Sequence, residues 1–399
     1  MSRDWIIKNV CIVNPDQELS QAFIHIQQDK IVKTAPMAEW EIYINETTVE
    51  KDKVLDFSKD KNTFLVPGFV DVHIHGANGS DVMDGTETAL QTMASFLPSE
   101  GTTSFLATTM TQHPDKIREA LEQVGSYKAG EQAEAECLGA HVEGPFFTKE
   151  KAGAQPVEHL RQADVSLFKE WQKTASGKIK IVSLAPEQDP EFLLTSYLKE
   201  TGVAASAAHS NAEAGLVRTA QEQGISHATH LYNGMSGLNH REPGLAAEAL
   251  LNSGMTIEMI VDGVHIHPDM VKLAYRLKGA AATLLITDSL RAKGLPDGKY
   301  DLGGQEVTVK GNKPYLEDGT IAGSVLPMNE AVKNMTAFSG CSLQEAVRMA
   351  SWNPAELAGV IERKGSIEAG KDADFVLMDK EGTVYKTWCR GNLAFQRGE

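Results

Sequence analysis

The sequence predicts an α/β protein: a (β/α)8 TIM-like barrel with a small β-sandwich domain built from both chain termini. Eight short apolar, β-rich runs alternate with longer helical patterns in the middle of the chain. This alternation favours a closed parallel barrel over an open sheet. Further β-rich runs at both ends are separated by turn residues, so the two ends can pair in one domain. We expect residues 1–62 and 363–399 to form the β-sandwich and residues 63–362 to form the barrel.

The predicted elements follow this plan along the chain. Barrel strands are expected at residues 64–74, 103–108, 138–142, 179–185, 203–208, 227–231, 256–261 and 282–287. Helices are expected at residues 87–97, 114–124, 189–200, 212–222, 328–337 and 342–351. Strands of the terminal domain are expected at residues 5–13, 22–32, 54–57, 373–378 and 383–388.

Composition and charge exclude several classes of protein. The 399 residues include 54 acidic and 38 basic ones, a formal charge of −16 that disfavours nucleic acid and anionic membranes as partners. No stretch approaches the roughly 20 consecutive apolar residues of a membrane span, and the N-terminus lacks the features of a secretory signal. The four cysteines are far apart and form no CxxC pair, which is typical of free thiols in a reducing compartment. We therefore expect a cytoplasmic protein.

Polar residues collect at the ends of the predicted barrel strands, where active sites of such barrels lie. His73 and His75 end the first strand and share one face, as a pair of metal ligands would, although a chance pair is about as common for an isolated motif. Glu143 ends the third strand, where a buried carboxylate needs a partner such as a metal. His141 shares its face and is either a direct participant or a hydrogen-bonded core residue.

The later strands add three more candidates. His209 ends the fifth strand. His227 and His230 lie in the sixth and should face opposite ways, so only one can be a ligand inside the barrel. We favour His230 and expect His227 to be a packing residue at the strand start. Asp288 ends the eighth strand as either a helix cap or a catalytic group. The joint pattern of histidines and carboxylates at five strand ends predicts a metal site at the barrel mouth.

At these residues the sequence resembles the amidohydrolase superfamily and, within it, the N-acetylglucosamine-6-phosphate deacetylase family. The motifs occur in the family's order and span nearly the whole chain. They are PGFVDVHIHG (67–76), GTTSFLAT (101–108), HVEGPF (141–146), AHSNA (208–212), THLYNGM (229–235), REPGL (241–245), DGVH (262–265), TDS (287–289) and AGS (322–324).

The resemblance implies metal-dependent hydrolysis of the acetamide of N-acetyl-D-glucosamine 6-phosphate to D-glucosamine 6-phosphate and acetate. This reaction belongs to amino-sugar catabolism and cell-wall sugar recycling. The nucleophile is a metal-activated water, and Asp288 acts as general base and then general acid. The implied cofactor is a divalent metal, zinc or iron, with one or two ions per subunit. The implied metal ligands are Glu143, His209 and His230, with His73 and His75 for a second ion that Glu143 would bridge.

The resemblance also implies a set of substrate-binding residues: Gln155, Asn233, Gly234, Arg241, His265, Ile321, Ala322, Gly323 and Ser324. Arg241 would bind the phosphate and reach the neighbouring subunit's site, which implies a homodimer or a dimer-based oligomer. Gln155 stands where some family members have a histidine that contacts the acetyl carbonyl, and a glutamine amide can also donate a hydrogen bond there. One alternative is another amidase of the superfamily, against which the motifs THLYNGM and REPGL argue. The other is an inactive scaffold barrel, against which the intact ligand positions and Asp288 argue.

Overall fold

The computed structural model describes residues 4–58, 62–128 and 133–398, and an eight-stranded parallel sheet lies at its centre. The strands pair in chain order, each with the next. These barrel strands, called first to eighth below, are Phe69–Ile74, Thr102–Thr109, Glu136–Glu143, Ile179–Leu184, Ala204–Ala207, Ile225–Ala228, Thr256–Met259 and Thr283–Leu285.

Backbone hydrogen bonds join the segment after the eighth strand to the first strand. The amide of Asp288 donates to the carbonyl of His73 at 2.9 Å, and the amide of His75 donates to the carbonyl of Ser289 at 2.9 Å. Every residue of the first and second strands is buried, as expected for a parallel sheet covered by helices on its outer face. The prediction of a (β/α)8 barrel is therefore confirmed.

A helix follows each barrel strand. The helix Pro114–Ser126 illustrates the local reason, because its apolar residues recur every three or four positions and bury Ile117, Ala120, Leu121 and Val124 on one side. The helices of the barrel region are Glu87–Phe96, Pro114–Ser126, Val165–Thr174, Leu193–Glu200, Ala214–Gln223, Leu245–Leu251, Pro268–Lys278, Met328–Ser339, Leu343–Val347 and Asn353–Leu357. Among the described residues, none of the helices combines the length and the apolar character needed to cross a membrane.

Strands from both termini form a second, separate sheet, as predicted. Its central strand, Thr63–Pro67, pairs with the N-terminal strand Asp4–Val13 and with the C-terminal strand Phe375–Asp379. The remaining members are Glu18–Gln27, Lys30–Pro36, Val54–Asp56, Val384–Cys389 and Asn392–Gln396, and the short helix Trp40–Glu46 packs beside them. The domain division at residues 62/63 and 362/363 stays a prediction.

Two predicted strands are wrong in extent because each contains a break. Residues 64–74 form two strands that separate at Gly68, where a Cβ would lie 2.1 Å from Thr103 Oγ1, and the first of the two belongs to the terminal sheet rather than to the barrel. Residues 22–32 form a hairpin, and its turn begins at Gln28 with a positive φ of 59°. A further sheet, Gly298–Leu302, Gln305–Lys310 and Lys313–Tyr315, follows the eighth barrel strand and was not predicted.

Candidate metal centre and active site

The carboxyl-terminal ends of the barrel strands bring the predicted polar residues into one buried cluster. His73 lies within the first strand and Glu143 ends the third, whereas the other members lie just beyond their strands. The members of this site cluster are His73, His75, Glu143, His209, His230 and Asp288.

Glu143, His209 and His230 form a first group of converging ligand atoms. Glu143 Oε1 lies 3.1 Å from His230 Nε2 and 3.4 Å from His209 Nε2. The two imidazole Nε2 atoms lie 3.1 Å from each other. This is a set of two imidazoles and one carboxylate around a common point, as in many catalytic zinc sites.

His73, His75 and Asp288 form a second group beside the first. Asp288 Oδ1 lies 3.4 Å from His73 Nε2 and 3.2 Å from His75 Nε2. Glu143 contacts this group as well, with Oε1 3.5 Å from His73 Nε2 and Oε2 3.3 Å from His75 Nε2. Glu143 therefore lies between the two groups, where a bridging carboxylate would be needed.

The donor set fits a divalent cation. His73 Nε2 is buried, faces the site and makes no hydrogen bond within the described chain. The close approach of the His209 and His230 nitrogens requires either a shared proton or a common cation. Histidine and carboxylate together suit zinc and other first-row metals.

The charges of the cluster oppose one another in a buried setting. Burial alone would raise the pKa of Glu143, but the surrounding histidines hold that pKa well below its usual value. Burial disfavours the charged form of His73, yet the carboxylates of Asp288, Glu258 and Glu143 raise its pKa to about 9. The carboxylates are therefore ionised at neutral pH, and their ion-pair partners among the described residues are histidines rather than lysine or arginine.

Three residues of the cluster have left-handed backbone conformations. The φ angles of His209, His230 and Asp288 are 43°, 32° and 48°, values that residues with a Cβ adopt rarely. Such strain is typical of functional positions. The left-handed conformation of His230 also explains why the expectation that His227 and His230 face opposite ways was wrong. That strand ends at Ala228, so His230 lies on a turn, and both His227 and His230 contact carboxylates inside the barrel.

The ring of His209 is fixed from behind. Its Nδ1 donates to the carbonyl of Lys151 at 2.8 Å, which leaves Nε2 for the site. Gly234 packs against the same ring, because a Cβ there would lie 2.9 Å from Nδ1. Its positive φ of 61° also favours glycine.

Most of the predicted substrate-binding residues line one cavity that opens from the cluster. They are Gln155, Asn233, Gly234, His265, Ile321 and Gly323. His265 donates from Nδ1 to Asp262 Oδ2 at 2.7 Å, so its Nε2 is the nitrogen available to a ligand. Gln155 donates from Nε2 to Glu143 Oε2 at 2.7 Å and accepts from the Thr111 amide.

Three predicted residues lie elsewhere. Ala322 and Ser324 are buried behind the cavity wall, and the Ser324 amide donates to the carbonyl of Asp288 at 2.7 Å. Ser324 therefore holds the Asp288 loop in place within this chain. Arg241 is exposed on the loop after the sixth strand and is not among the residues that line the cavity.

Two sets of residues were missed by the sequence analysis. Met110, Leu302 and Thr320 also line the cavity, and Leu302 comes from the small sheet that was not predicted. Glu258 lies in the seventh strand and contacts His73 and His227. An acid inside the apolar run TIEM was the available signal for Glu258.

Both ring nitrogens of His141 have hydrogen-bond partners inside the barrel. Its Nδ1 lies 3.1 Å from the carbonyl of Val72 and its Nε2 2.7 Å from Ser183 Oγ. Burial, together with the charge of His73, lowers its pKa to about 3. The neutral ring stacks edge-on against His73, with centroids 4.6 Å apart, and supports it.

Comparison with known proteins agrees with this geometry. The amidohydrolase family model matches residues 64–394. The N-acetylglucosamine-6-phosphate deacetylase of Bacillus subtilis (strain 168) is 45% identical over 398 residues, 99% of this chain and 98% of that relative. The crystal structure of the Thermotoga maritima enzyme of that name has a TM-score of 0.85 and 36% identity, covering 98% of this chain and 100% of that one. A Mycobacterium smegmatis variant in complex with N-acetyl-D-glucosamine-6-phosphate has a TM-score of 0.89 and 27% identity, with 98% and 100% coverage.

The chain belongs to the amidohydrolase family, a class of hydrolases built on this barrel. That family is generally dependent on divalent metals, which agrees with the candidate ligand groups described above. Within the family, the chain belongs with the N-acetylglucosamine-6-phosphate deacetylases.

Proposed function

We propose that this chain hydrolyses the acetamide of N-acetyl-D-glucosamine 6-phosphate to D-glucosamine 6-phosphate and acetate. The observation that carries the proposal is the convergence of five candidate metal ligands and Asp288 in one cluster at the barrel mouth, where Asp288 and all of these ligands except His73 line one cavity. Relatives named for this reaction cover nearly the full chain. A place in amino-sugar catabolism and cell-wall sugar recycling and a cytoplasmic location accompany the proposal as predictions.

Glu143, His209 and His230 would hold one Zn²⁺ or Fe²⁺ ion, and His73 and His75 would hold a second, with Glu143 shared. When bound, the metal supplies Lewis acidity, which activates water and polarises a carbonyl oxygen. The chain's own contribution is a water-poor pocket, since His73, His75 and Glu143 are all buried.

Asp288 would move the proton. The neighbouring histidines oppose the effect of burial and lower its pKa, so that it is ionised and able to accept at neutral pH. As water attacks the acetyl carbonyl carbon, Asp288 takes the water's proton. It then gives that proton to the sugar nitrogen, the C–N bond breaks, and acetate and the amine leave.

The substrate would be oriented by residues around the rim of the cavity. His265 and Asn233 would bind the sugar, and Gln155 would place a hydrogen-bond donor near the acetyl group. Arg241, supplied by the neighbouring subunit of a homodimer, would bind the phosphate through two parallel N–H bonds. Binding energy from this remote group helps to align the amide for attack.

Acetate release tests the proposed reaction. The purified protein should release acetate from N-acetyl-D-glucosamine 6-phosphate, lose this activity after treatment with a chelator and regain it with Zn²⁺ or Fe²⁺. The C4 epimer and the unphosphorylated sugar measure the substrate preference in the same assay. Activity that survives complete metal removal, confirmed by elemental analysis, would contradict the proposal.

Arg241→Ala tests the phosphate contact. We expect KM for the phosphorylated sugar to rise roughly 10- to 100-fold, the effect of losing charge-assisted hydrogen bonds, with little change for the unphosphorylated sugar. His240→Ala, on the same exposed loop, is the matched control and should leave both values unchanged. An equal rise for both sugars would exclude phosphate recognition by Arg241.

A further inference from the structure

Glu258 is a fully buried carboxylate that accepts hydrogen bonds from three donors. Its Oε2 accepts from His73 Nδ1 at 3.0 Å and from the backbone amide of His230 at 3.2 Å. Its Oε1 accepts from His227 Nε2 at 3.0 Å. No lysine or arginine in the described part of the chain forms an ion pair with it. A buried carboxylate with only histidine and amide partners is not explained by a structural salt bridge.

The contact with His73 fixes which ring nitrogen faces the site. A carboxylate only accepts, so Nδ1 of His73 carries the hydrogen and Nε2 is left as the candidate ligand. That Nε2 atom faces the carboxylates of Glu143 and Asp288 at 3.5 and 3.4 Å. A carboxylate behind a ligating histidine also raises the histidine's basicity.

The contact with His230 fixes a strained turn. The φ of His230 is 32°, and its amide is held by the Glu258 side chain. The next amide, that of Leu231, donates to the Glu258 backbone carbonyl at 2.9 Å. Two hydrogen bonds to Glu258 therefore hold the turn in which the His230 ring points towards Glu143.

We propose that Glu258 is a positioning residue of the metal centre, which aligns His73 in one ligand group and His230 in the other. The inference rests on the proposed function, because it concerns the metal that the deacetylase would use. His227 completes the arrangement, since its Nδ1 lies 2.6 Å from Thr256 Oγ1 while its Nε2 holds the far oxygen of Glu258. One carboxylate of the seventh strand thus links the first strand, the sixth strand and the turn that follows the sixth strand.

Glu258→Gln is the test variant, because glutamine keeps the volume and can keep the hydrogen bonds. Its carbonyl oxygen can accept from His73, and its amide can donate to His227 if that ring moves its proton to Nδ1, where Thr256 accepts it. The fold should survive, but the charge behind His73 is lost. We expect Zn²⁺ affinity, measured on metal-free protein against a competing chelator, to fall roughly 10- to 100-fold. The zinc-induced rise in melting temperature should shrink with it.

Glu136→Gln is the matched control. It also removes a carboxylate charge, but from the start of the third barrel strand, the end opposite to Glu143 and the metal ligands. We expect this variant to lose stability without losing Zn²⁺ affinity. If Glu258→Gln does not fold, His227→Leu removes one donor from Glu258 without touching a ligand and should weaken zinc binding to a lesser degree.

The outcomes separate the two proposals. Wild-type zinc affinity in Glu258→Gln, or in His227→Leu where that variant replaces it, would overturn the positioning role and leave the deacetylase proposal intact. Failure of the wild-type chain to bind Zn²⁺ or Fe²⁺ at all would overturn both.

Discussion

The two ends of the third barrel strand carry carboxylates in opposite settings, Glu136 half-buried and Glu143 buried. At its start, Glu136 pairs with Arg363 at 2.6 Å and with Lys364 at 2.9 Å. At its end, Glu143 is surrounded by histidines. We call the first group the lower cluster, consisting of Glu136, Arg363, Lys364, Asp372 and Asp374. We call the second the upper cluster, consisting of the site cluster with His227 and Glu258.

The difference lies in whether the positive charge is permanent. Arginine and lysine keep their charge at any pH the fold experiences, so each carboxylate of the lower cluster has a permanently charged partner. Histidines can release their protons, so the upper cluster can exchange proton charge for a divalent cation. One cluster joins the barrel to the C-terminal segment before Phe375, and the other forms a candidate site. The predictions below test that division of roles.

The largest effect is expected from Asp288→Asn in the upper cluster. This variant should bind Zn²⁺ yet lose roughly 10²- to 10⁴-fold in kcat, because asparagine cannot accept the proton. Acetate release and elemental analysis of the same sample measure both quantities. Normal turnover would remove the proton-transfer role of Asp288, whereas a variant without metal would indicate that Asp288 acts mainly as a ligand.

Glu136→Gln should have the largest effect in the lower cluster, on stability alone. The substitution removes a carboxylate that contacts both Arg363 and Lys364, while Asp372 and Asp374 remain as partners of these two cations. Losing charge-assisted hydrogen bonds of this kind should cost about 2 to 3 kcal/mol in the free energy of unfolding. Urea unfolding measures this loss, with Glu119→Gln, an exposed carboxylate, as control. A loss of Zn²⁺ affinity in Glu136→Gln would show that the two clusters are not independent.

Acid should weaken the lower cluster by a predictable amount. Burial opposes ionisation of Glu136, but Arg363 and Lys364 prevail and lower its pKa from 4.5 to about 2. Because the folded-state pKa is depressed, its stabilising contribution is complete above pH 4.5 and is lost as the pH falls towards 2.

Linkage then gives a loss of about 2 kcal/mol between pH 7 and pH 3 from this one group. Glutamine does not titrate, so the stability difference between wild type and Glu136→Gln should narrow by that amount. Urea unfolding of both proteins at the two pH values gives the comparison. A constant difference would mean that Glu136 is not held ionised by its partners.

Local sequence patterns predicted the barrel and most of the upper cluster. A buried strand is an apolar run, so the first polar residues at its end mark the part of the strand that lies at the barrel mouth. His73 and His75 follow such a run, and so does Glu143. His227 and His230 do not face opposite ways as predicted, because His230 has a left-handed backbone conformation. A pattern of apolar residues does not reveal such a turn.

Contacts between distant parts of the chain were less accessible. Glu258 and His73 are hydrogen-bonded although they are 185 residues apart in the sequence, and the closure of the barrel brings them together. The small sheet at residues 298–315 has alternating exposed and buried residues in Gln305–Lys310, a signal that was present but not used. The role of Arg241 depends on a second subunit and remains a prediction.

The smallest effect is expected from Lys30→Met, at the solvent edge of the lower cluster. Lys30 Nζ lies 2.6 Å from Asp372 Oδ1, but its side chain is 40% exposed, and Asp372 keeps Arg363 and Lys364 as partners. Water and salt screen such a pair, so we expect a loss of less than about 1 kcal/mol that shrinks further at high salt. Lys33→Met, on the same strand and paired with exposed Glu39, is the control and should change stability even less. A loss as large as that of Glu136→Gln would mean that the lower cluster depends on an exposed lysine at its edge. The contrast between a lower cluster held by the permanent charges of Arg363 and Lys364 and an upper cluster of histidines that release protons would then no longer hold.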